Sequence, residues 1–365
     1  MTPPRVFLAL AALLAAANLA LAQTPPKYTH EASEKLYRAG KYDQAEAVDK
    51  QAIADIEKAQ GTKAWQLADP LNDLATIYMR QARFPEAKQV IDRADGLLDK
   101  NVPEQALVAG RLGINKGWRL YTLGETDAAA KVFDESLHLV EKFHPGESID
   151  RAELINNVGL MYEDQGQRDE DDSLIHKGRI CLFRGWEMRV DLTGNFSPES
   201  GESLNNLGMH LLFNAQAPGE NEFALTLLRK SLDVAIKVYG ESHPETAVSH
   251  GTLALALLLH DKLDEAEKEV RIAIPMTQKY LGDKHPDLSY ELMTLGRILE
   301  HQAHFDDAEQ KYLDALQIDE TVYGKTHQNV LPALKALKSL YDEKGDAAKA
   351  QEMEKRIEKL GGKDI

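Results

Sequence analysis

One short phrase recurs at equal intervals in the second half of the chain, and it restricts the fold more than any other feature. The glycine and the histidine of this Gly-x-x-His phrase recur every 42 residues, at Gly240, Gly282 and Gly324 and at His243, His285 and His327. An independent series of alanines keeps the 42-residue interval, at Ala45, Ala87 and Ala129 and again at Ala224, Ala266, Ala308 and Ala350. A fixed period of this length is typical of repeat proteins, which stack similar units instead of building one central core.

The alanine series is interrupted once, between Ala129 and Ala224, where the chain is eleven residues longer than two intervals. Seven of these residues enter between the motifs NNVG and NNLG, and four lie in NAQAPGEN. We therefore expect about eight repeats over residues 31–360, with insertions near 172–195 and 214–221. Insertions usually form loops, and the first one brings cations and aromatic rings together at Lys177, Arg179, Phe183, Arg184, Trp186 and Arg189.

Within each unit, apolar side chains are spaced as on the face of a helix. One stripe holds Leu71, Leu74, Ala75 and Tyr78, and after a short break a second holds Ala87, Val90, Ile91 and Ala94. This spacing predicts two antiparallel helices per repeat, and an all-α solenoid in which each pair packs only against the pairs before and after it. The repeated glycine can end one helix and the following proline can begin the next. We therefore interpret the three recurring histidines as turn residues.

Several motifs together resemble a known family. The segments LINNVGLMYEDQGQ, SLNNLGMHLLFNAQ and LDEAEKEVRIAI, with the Gly-x-x-His-Pro turn, resemble tetratricopeptide repeats of the 42-residue variety found in kinesin light chains. The resemblance covers nearly all of residues 31–360. It implies a right-handed superhelical solenoid of about eight antiparallel helix pairs, with the first helix of each pair on the concave side. It also implies a non-enzymatic protein that binds peptides or other proteins.

Two adjacent positions on the first helices would then face the concave groove. The first position holds Asn72, Ile114, Asn156, Asn205, Gly251 and Met293, and the second holds Asp73, Asn115, Asn157, Asn206, Thr252 and Thr294. Short amides both donate and accept hydrogen bonds, so a row of them could pair with the backbone of an extended peptide whatever its sequence. The same side chains could instead bridge neighbouring helices, and the sequence leaves both interpretations open.

Apolar side chains lie near these polar positions, where they could anchor a partner or simply belong to the core. They are Trp118, Tyr121, Leu160, Met209, Leu212, Leu255 and Leu258. We prefer Trp118 and Tyr121 as anchors, since tryptophan and tyrosine are enriched among interface hot spots. The predicted peptide-binding residues are Asn72, Asp73, Asn115, Trp118, Tyr121, Asn156, Asn157, Leu160, Asn205, Asn206, Met209, Thr252, Leu255 and Thr294.

Charge and motif content exclude several other functions. The formal net charge is −16 at pH 7, whereas nucleic acid is bound through clustered lysine and arginine, so a nucleic-acid partner is not expected. The chain has no G-x-S-x-G, H-E-x-x-H, phosphate-loop or dinucleotide motif, so we expect no cofactor, no metal and no catalytic residue. The single cysteine, Cys181, lies among apolar residues and is expected to be an inert thiol without a disulfide partner.

The first residues read as a targeting signal. Arg5 precedes an apolar stretch over residues 6–22 that ends in Ala-Leu-Ala, a pattern typical of a cleaved signal peptide. We expect a signal peptide over residues 1–22, a linker over 23–30, and export to the periplasm or the exterior with no membrane contact after cleavage. A retained membrane anchor is the alternative, since the apolar stretch approaches a spanning length.

Three functions are compatible with these patterns. The leading hypothesis is an exported scaffold or adaptor that binds a protein or peptide segment in the concave groove. A second is a hydrolase or metal-dependent enzyme with its site at the fourth-repeat insertion, which would require histidines and carboxylates to converge near Trp186. A third is a self-associating structural protein, that is, a homo-oligomer.

Overall fold

The computed structural model describes residues 30–361, so the predicted signal peptide and all but the last residue of the predicted linker lie outside the described residues. The described part contains sixteen α-helices, and none of them is long and apolar enough to cross a membrane. The first eight are α1 (Glu31–Tyr37), α2 (Tyr42–Gln60), α3 (Ala68–Arg80), α4 (Phe84–Asp95), α5 (Pro103–Thr122), α6 (Thr126–Phe143), α7 (Ile149–Asp169) and α8 (Asp172–Thr193). The others are α9 (Pro198–Phe213), α10 (Glu220–Tyr239), α11 (Pro244–Leu259), α12 (Leu263–Leu281), α13 (Pro286–His301), α14 (Phe305–Val322), α15 (Leu331–Lys344) and α16 (Ala347–Lys359). Short 3₁₀ helices, Trp65–Leu67 and Gln328–Val330, precede α3 and α15.

The helices form eight consecutive pairs. Each odd-numbered helix packs against the even-numbered helix that follows it, and each pair packs against the next pair along the chain. This arrangement confirms the prediction of an all-α solenoid of about eight antiparallel helix pairs. An apolar stripe that a single pair would leave in water is buried against the neighbouring pairs, which is how a solenoid stabilises repeats that could not fold alone.

Small residues lie where the two helices of a pair approach most closely. The repeated alanines Ala45, Ala87, Ala129, Ala224, Ala266 and Ala308 have no exposed surface. On the facing helices, glycines leave room for rings: a Cβ atom added at Gly117 would lie 2.5 Å from the ring of Phe133, and one at Gly296 would lie 2.5 Å from that of Tyr312. The repeat period is therefore visible in the packing as well as in the sequence.

The recurring histidines cap the helices that follow them. The Nδ1 atom of His243 accepts a hydrogen bond from the backbone N–H of Glu245 at 3.1 Å, and the Nδ1 atom of His285 accepts one from Asp287 at 3.2 Å. His327 does the same before α15. Because the first N–H groups of a helix have no partner within the helix, each imidazole satisfies one of them. The interpretation of these histidines as turn residues is confirmed.

The fourth repeat differs from the expected loop insertion. Residues 172–193 form the continuous helix α8, and α7 is also long, so the seven extra residues lengthen a helical hairpin. The expectation of a loop here is wrong, because adding turns to both helices keeps every new backbone group hydrogen-bonded. The hairpin is tightly packed, since a Cβ atom added at Gly178 would lie 2.7 Å from the carbonyl oxygen of Gly159. The four-residue insertion does form a loop, between α9 and α10.

Contacts between remote repeats correct a second expectation, that pairs pack only against their neighbours in sequence. The C-terminal ends of α1, α3 and α5 meet the N-terminal ends of α9, α11, α13 and α15, four or five repeats later. We call this contact the inter-turn seam. Arg80 donates hydrogen bonds to both Glu245 (3.0 Å) and Asp287 (2.8 Å) across it. Successive turns of the superhelix therefore touch, which a chain of purely local contacts would not require.

Apolar and aromatic contacts accompany the ion pairs along the seam. Leu281, at the end of α12, packs against the cluster formed by Tyr42, Ala45 and Ile77. The ring of Tyr323 stacks on that of Phe84, with the ring centroids 6.0 Å apart. The inter-turn seam thus has a packed component as well as an electrostatic one.

Candidate functional site

The first helices line the inside of the superhelix. The first helices of successive repeats contact one another, whereas the second helices do not approach as closely. The contacting first helices are α1 and α3, α3 and α5, α5 and α7, α9 and α11, and α11 and α13. Helices on the inside of a curve are closer together than those on the outside, so the odd-numbered helices form the concave face. The predicted groove positions all lie on these helices.

The amides of the second and third repeats bond to one another. The side-chain amide of Asn115, on α5, donates to the side-chain oxygen of Asn72 at 3.0 Å and to the hydroxyl of Thr76 at 2.9 Å, both on α3. Asn115 is buried, and its amide also approaches the backbone carbonyl of Asn72. In this part of the inner face the amides bridge neighbouring first helices, which was one of the two interpretations that the sequence left open.

The amides of the fourth and fifth repeats form a second chain. Asn206 donates to Asn156 at 3.5 Å, and Asn156 donates to Asn157 at 3.4 Å. Asn156 and Asn157 have no exposed surface. The chain ends at the Nδ2 atom of Asn157, which is buried and has no hydrogen-bond partner. This amide therefore retains two unused N–H donors.

The sequence of α5 explains why the donors of Asn157 are unused. Asn157 occupies the position that Asn115 holds one repeat earlier, and Asn115 finds its acceptors at Asn72 and Thr76. At the corresponding positions α5 carries Ile114 and Trp118, which have no side-chain acceptor. An amide that bridges helices in one repeat is thus left unsatisfied in the next.

The remaining polar side chains of the inner face differ in whether their hydrogen-bonding groups are already used. The hydroxyls of Thr252 and Thr294 donate to carbonyl oxygens one turn earlier in their own helices, and both residues are buried. Asn205 is partly exposed and its side-chain oxygen is buried without a partner. Asp73 is partly exposed and lies 3.9 Å from His30. The polar part of the inner face therefore has unused capacity mainly in the fourth and fifth repeats.

The predicted apolar anchors separate into two groups. Trp118, Tyr121 and Leu160 pack around one cluster in the third and fourth repeats, and the rings of Trp118 and Tyr121 meet edge-on with centroids 5.6 Å apart. These three side chains remain partly exposed. Met209 packs against the large cluster of the later repeats, and Leu255 lies within it with 5 % of its surface exposed. The accessible anchors therefore lie on α5 and α7, and Leu160 is one turn from Asn157 on the same helix face.

Two acidic pairs at the starts of α7 and α9 were not predicted. The first turns of α7 and α9 present Asp150 and Glu153, and Glu199 and Glu202, each pair three residues apart and hence on one helix face. Burial, with Glu202 nearby, raises the pKa of Glu153 to about 7, and burial also raises the pKa of Asp150. The spacing of these acids along each helix was the signal that could have revealed them.

The fourth-repeat insertion does not gather a catalytic constellation. Arg179 pairs with Glu220 at 2.8 Å, and Trp186 packs against the cluster of the fifth repeat. Cys181 is half-buried, and burial raises the pKa of its thiol. Within residues 30–361, no three histidine, cysteine, aspartate or glutamate side chains converge as metal ligands. His210 does lie 2.9 Å from Glu163 beside Arg179, but the metal-ligand group that the enzyme hypothesis required near Trp186 is not found in the described part of the chain.

Comparison with known proteins agrees with this architecture. Residues 200–279 and 289–360 match the family model of the tetratricopeptide repeat. A comparison with curated proteins gave no match. Among solved structures, a Rap protein complexed with competence and sporulation factor is similar over 91 % of this chain and 96 % of its own, at 13 % identity and a TM-score of 0.61. The apo form of RapI is similar over 80 % of this chain and 96 % of its own, at 14 % identity and a TM-score of 0.55. BtubC (BKLC) from P. vanneervenii is similar over 70 % of this chain and 92 % of its own, at 18 % identity and a TM-score of 0.44.

The fold and the repeat define the class of the molecule. The matched segments lie in the second half of the chain, and the helix pairs before them keep the same order and packing. The two matched segments are tetratricopeptide repeats, the earlier helix pairs share their fold, and the predicted resemblance is confirmed. At such low identity the likeness to the Rap proteins shows the fold alone.

Proposed function

We propose that the chain binds an extended segment of a protein or peptide on its inner face and acts as an adaptor or scaffold. The binding region would be centred on the fourth and fifth repeats, where Trp118, Tyr121 and Leu160 lie beside the amide chain of Asn157, Asn156 and Asn206. An extended segment would place its apolar side chains on the aromatic group and its backbone against the amides.

The unpaired amide of Asn157 carries this proposal. A buried polar group without a partner costs roughly 1–3 kcal/mol, and such a group is rare unless another molecule completes it. A backbone carbonyl of a bound segment would accept from Nδ2 and remove that cost. Because Asn157 has no exposed surface, the side chains that cover it would have to move aside as the segment binds.

One further observation favours a protein or peptide partner. The structurally similar Rap protein is complexed with competence and sporulation factor, which supports the use of this fold to hold a partner.

Alanine at both Asn157 and Asn206 is expected to weaken the binding of a segment while the solenoid stays folded. The substitutions remove the amide donors of the inner face, and an affinity loss of about tenfold or more corresponds to one or two hydrogen bonds at roughly 1 kcal/mol each. Panning a phage-displayed library of linear peptides on the chain would supply a ligand, and calorimetry would then compare its affinity for the two proteins. Urea unfolding measures the accompanying loss of stability, since the substitutions also remove the two long hydrogen bonds of the amide chain, at 3.4 and 3.5 Å.

Asn221→Ala provides the matched control, since this exposed asparagine lies outside the inner face at the start of α10. It should bind the selected peptide like the original chain. If no peptide is enriched, or if the double variant binds an enriched peptide as tightly as the control does, the inner face is not the binding site.

The scaffold is also inferred to act outside the cytoplasm, on the strength of the signal-like residues 1–22. If this is right, the protein recovered from its native host should begin at Gln23. N-terminal sequencing of the purified native protein tests this directly. Recovery of a chain that still begins at Met1 would contradict cleavage.

A further inference from the structure

Two sets of residues, each repeated every 42 positions, face each other across the inter-turn seam. One set follows the ends of α1, α3 and α5 and has left-handed backbone conformation. It consists of Gly40 (φ 68°), Ala82 (φ 54°) and Gly124 (φ 77°), at intervals of 42 residues. On the other side are the helix-capping histidines His243, His285 and His327. Each histidine faces one of these helix ends in the same order. The repeated phrase therefore has a second purpose beyond the turn, because each copy meets the helix end of a repeat one superhelical turn earlier.

The middle contact shows the complete arrangement. His285 is 6 % exposed, and its Nδ1 atom accepts from the backbone N–H of Asp287 at 3.2 Å. Its Nε2 atom lies 2.9 Å from the carbonyl oxygen of Arg80, which ends α3 on the neighbouring turn. A carbonyl can only accept, so Nε2 must carry the proton and Nδ1 must not. The imidazole at this contact is neutral and joins the end of one helix to the start of another.

The flanking contacts repeat this arrangement less completely. His243 lies against Gly40 and faces the backbone of Arg38, although its buried Nε2 atom does not complete a hydrogen bond. His327 approaches Gly124, and there the amide of Asn329 reaches the carbonyl oxygen of Thr122 at 3.5 Å. In all three copies Nδ1 is occupied as an acceptor. A proton added at Nδ1 would abolish the helix cap.

The charged groups around these histidines come from both sides of the seam. His285 is faced by Arg80 from α3, by Asp287 from its own helix and by Glu245 from α11. His243 is faced by Glu245 and Arg80, and near it Arg38 pairs with Glu199 at 2.9 Å. The ring of Tyr239 from α10 stacks on His243 with centroids 4.5 Å apart, and that of Tyr280 from α12 lies 6.4 Å away. Desolvation lowers the pKa of His285 and that of His243, and Arg80 adds to this effect, which the neighbouring carboxylates oppose only in part.

We propose that the inter-turn seam is a pH-sensitive clasp, which holds successive turns of the superhelix together while His243 and His285 are neutral and releases them when these histidines are protonated. Release would separate the ends of α1 and α3 from α11 and α13 and would loosen the superhelix around its inner face. Eight helix pairs would remain folded, since each is stabilised by its neighbours in sequence.

The sign of the pH dependence follows from the lowered pKa values. An exposed histidine has a pKa near 6.5, so the open seam binds protons more readily than the closed one. The closed state is fully favoured above pH 6.5 and loses stability as the pH falls through that value towards the lowered pKa. In this range the closed-to-open ratio falls about tenfold per pH unit for each histidine, or about 100-fold for the two together.

Hydrogen exchange of the full chain at pH 7.5 and pH 5.5, corrected for the intrinsic exchange rates, tests the proposal. Protection of residues 78–84 and 284–292 should fall at pH 5.5, by at most about 100-fold for the two histidines, while protection of α7 and α8 is retained. Small-angle scattering should show a larger radius of gyration at the lower pH. Equal seam protection at both pH values would overturn the clasp.

Three variants separate the histidines from other causes. With His243→Asn and His285→Asn combined, asparagine can still cap a helix but cannot titrate, so seam protection should not change with pH. His301→Asn with His304→Asn, exposed histidines away from the seam, should respond to pH like the original chain. Arg80→Ala should leave the seam open at pH 7.5 already. A pH response that persists in the first variant, or a closed seam in the third, would contradict the proposal.

Discussion

Replacing Gly178 with alanine is expected to destabilise the chain by about 3 kcal/mol, near the upper end for overpacking a buried site. The added Cβ atom would lie 2.7 Å from the carbonyl oxygen of Gly159 and 3.2 Å from the backbone nitrogen of Glu163, both on α7. These are backbone atoms that cannot rotate away, so α7 and α8 would have to separate. Urea unfolding followed by circular dichroism measures the loss.

Gly146→Ala is the matched control for this substitution. A Cβ atom at Gly146 would meet no atom within 4 Å, and its backbone is not left-handed. Its stability should be equal to or slightly above that of the original chain, because alanine restricts the unfolded state more than glycine does. If the two variants unfold at the same urea concentration, the close approach of α7 and α8 is not real.

Glu291→Gln is expected to remove a large pH dependence of stability. Glu291 is 1 % exposed, and its side chain lies between Thr277, whose hydroxyl donates to it at 2.6 Å, and the backbone of Gly251. Desolvation raises the pKa of this carboxyl to about 8, although the Thr277 hydroxyl opposes the shift. The neutral acid is therefore the stable form in the folded protein at neutral pH.

The pH dependence of stability at Glu291 is opposite in sign to that at the seam histidines. Because the pKa is higher in the folded than in the unfolded state, stability is complete below the unfolded value near pH 4.3 and falls as the pH rises through about 8. Between pH 6 and pH 9 the original chain should lose about 2–3 kcal/mol at this site, and the glutamine variant should not. The change in the urea midpoint across this range provides the measurement.

A surface carboxylate supplies the comparison for this experiment. Glu352→Gln changes an exposed residue on α16, so it should leave the pH dependence of the original chain intact. Were Glu291→Gln to lose as much stability between pH 6 and pH 9 as Glu352→Gln does, the raised pKa of Glu291 would be wrong. The two experiments can also be distinguished by the direction of the pH effect, since acidification stabilises the folded protein at Glu291 and destabilises the closed seam.

The inner face and the seam use the same helices in different ways. The amides and aromatic rings of the proposed binding region lie on α5, α7 and α9, whereas the clasp joins the ends of α1, α3 and α5 to later repeats. Binding and clasp opening can therefore be measured separately. Loss of the pH response would not affect the proposed binding of a segment, and loss of binding would leave the seam intact.

Local patterns in the sequence determined the repeating unit. The spacing of apolar residues at i, i+3, i+4 and i+7 fixed the helices, and the 42-residue interval fixed how many pairs there are. The alanines that recur at this interval are buried. The histidines of the turn phrase were predicted as turn residues and cap the next helix. Each of these features depends on residues that are close in the chain or one period apart.

The partners of individual side chains were decided by tertiary structure. Asn115 and Asn157 occupy equivalent positions, yet one is satisfied and the other is not, because the facing residues of the preceding helix differ. The seven inserted residues became helix instead of loop, since both helices of the hairpin could lengthen together. The seam joins residues as far as 207 positions apart. Its existence depends on the small rotation between repeats, which accumulates over four or five units and is set by packing angles that no local sequence pattern specifies.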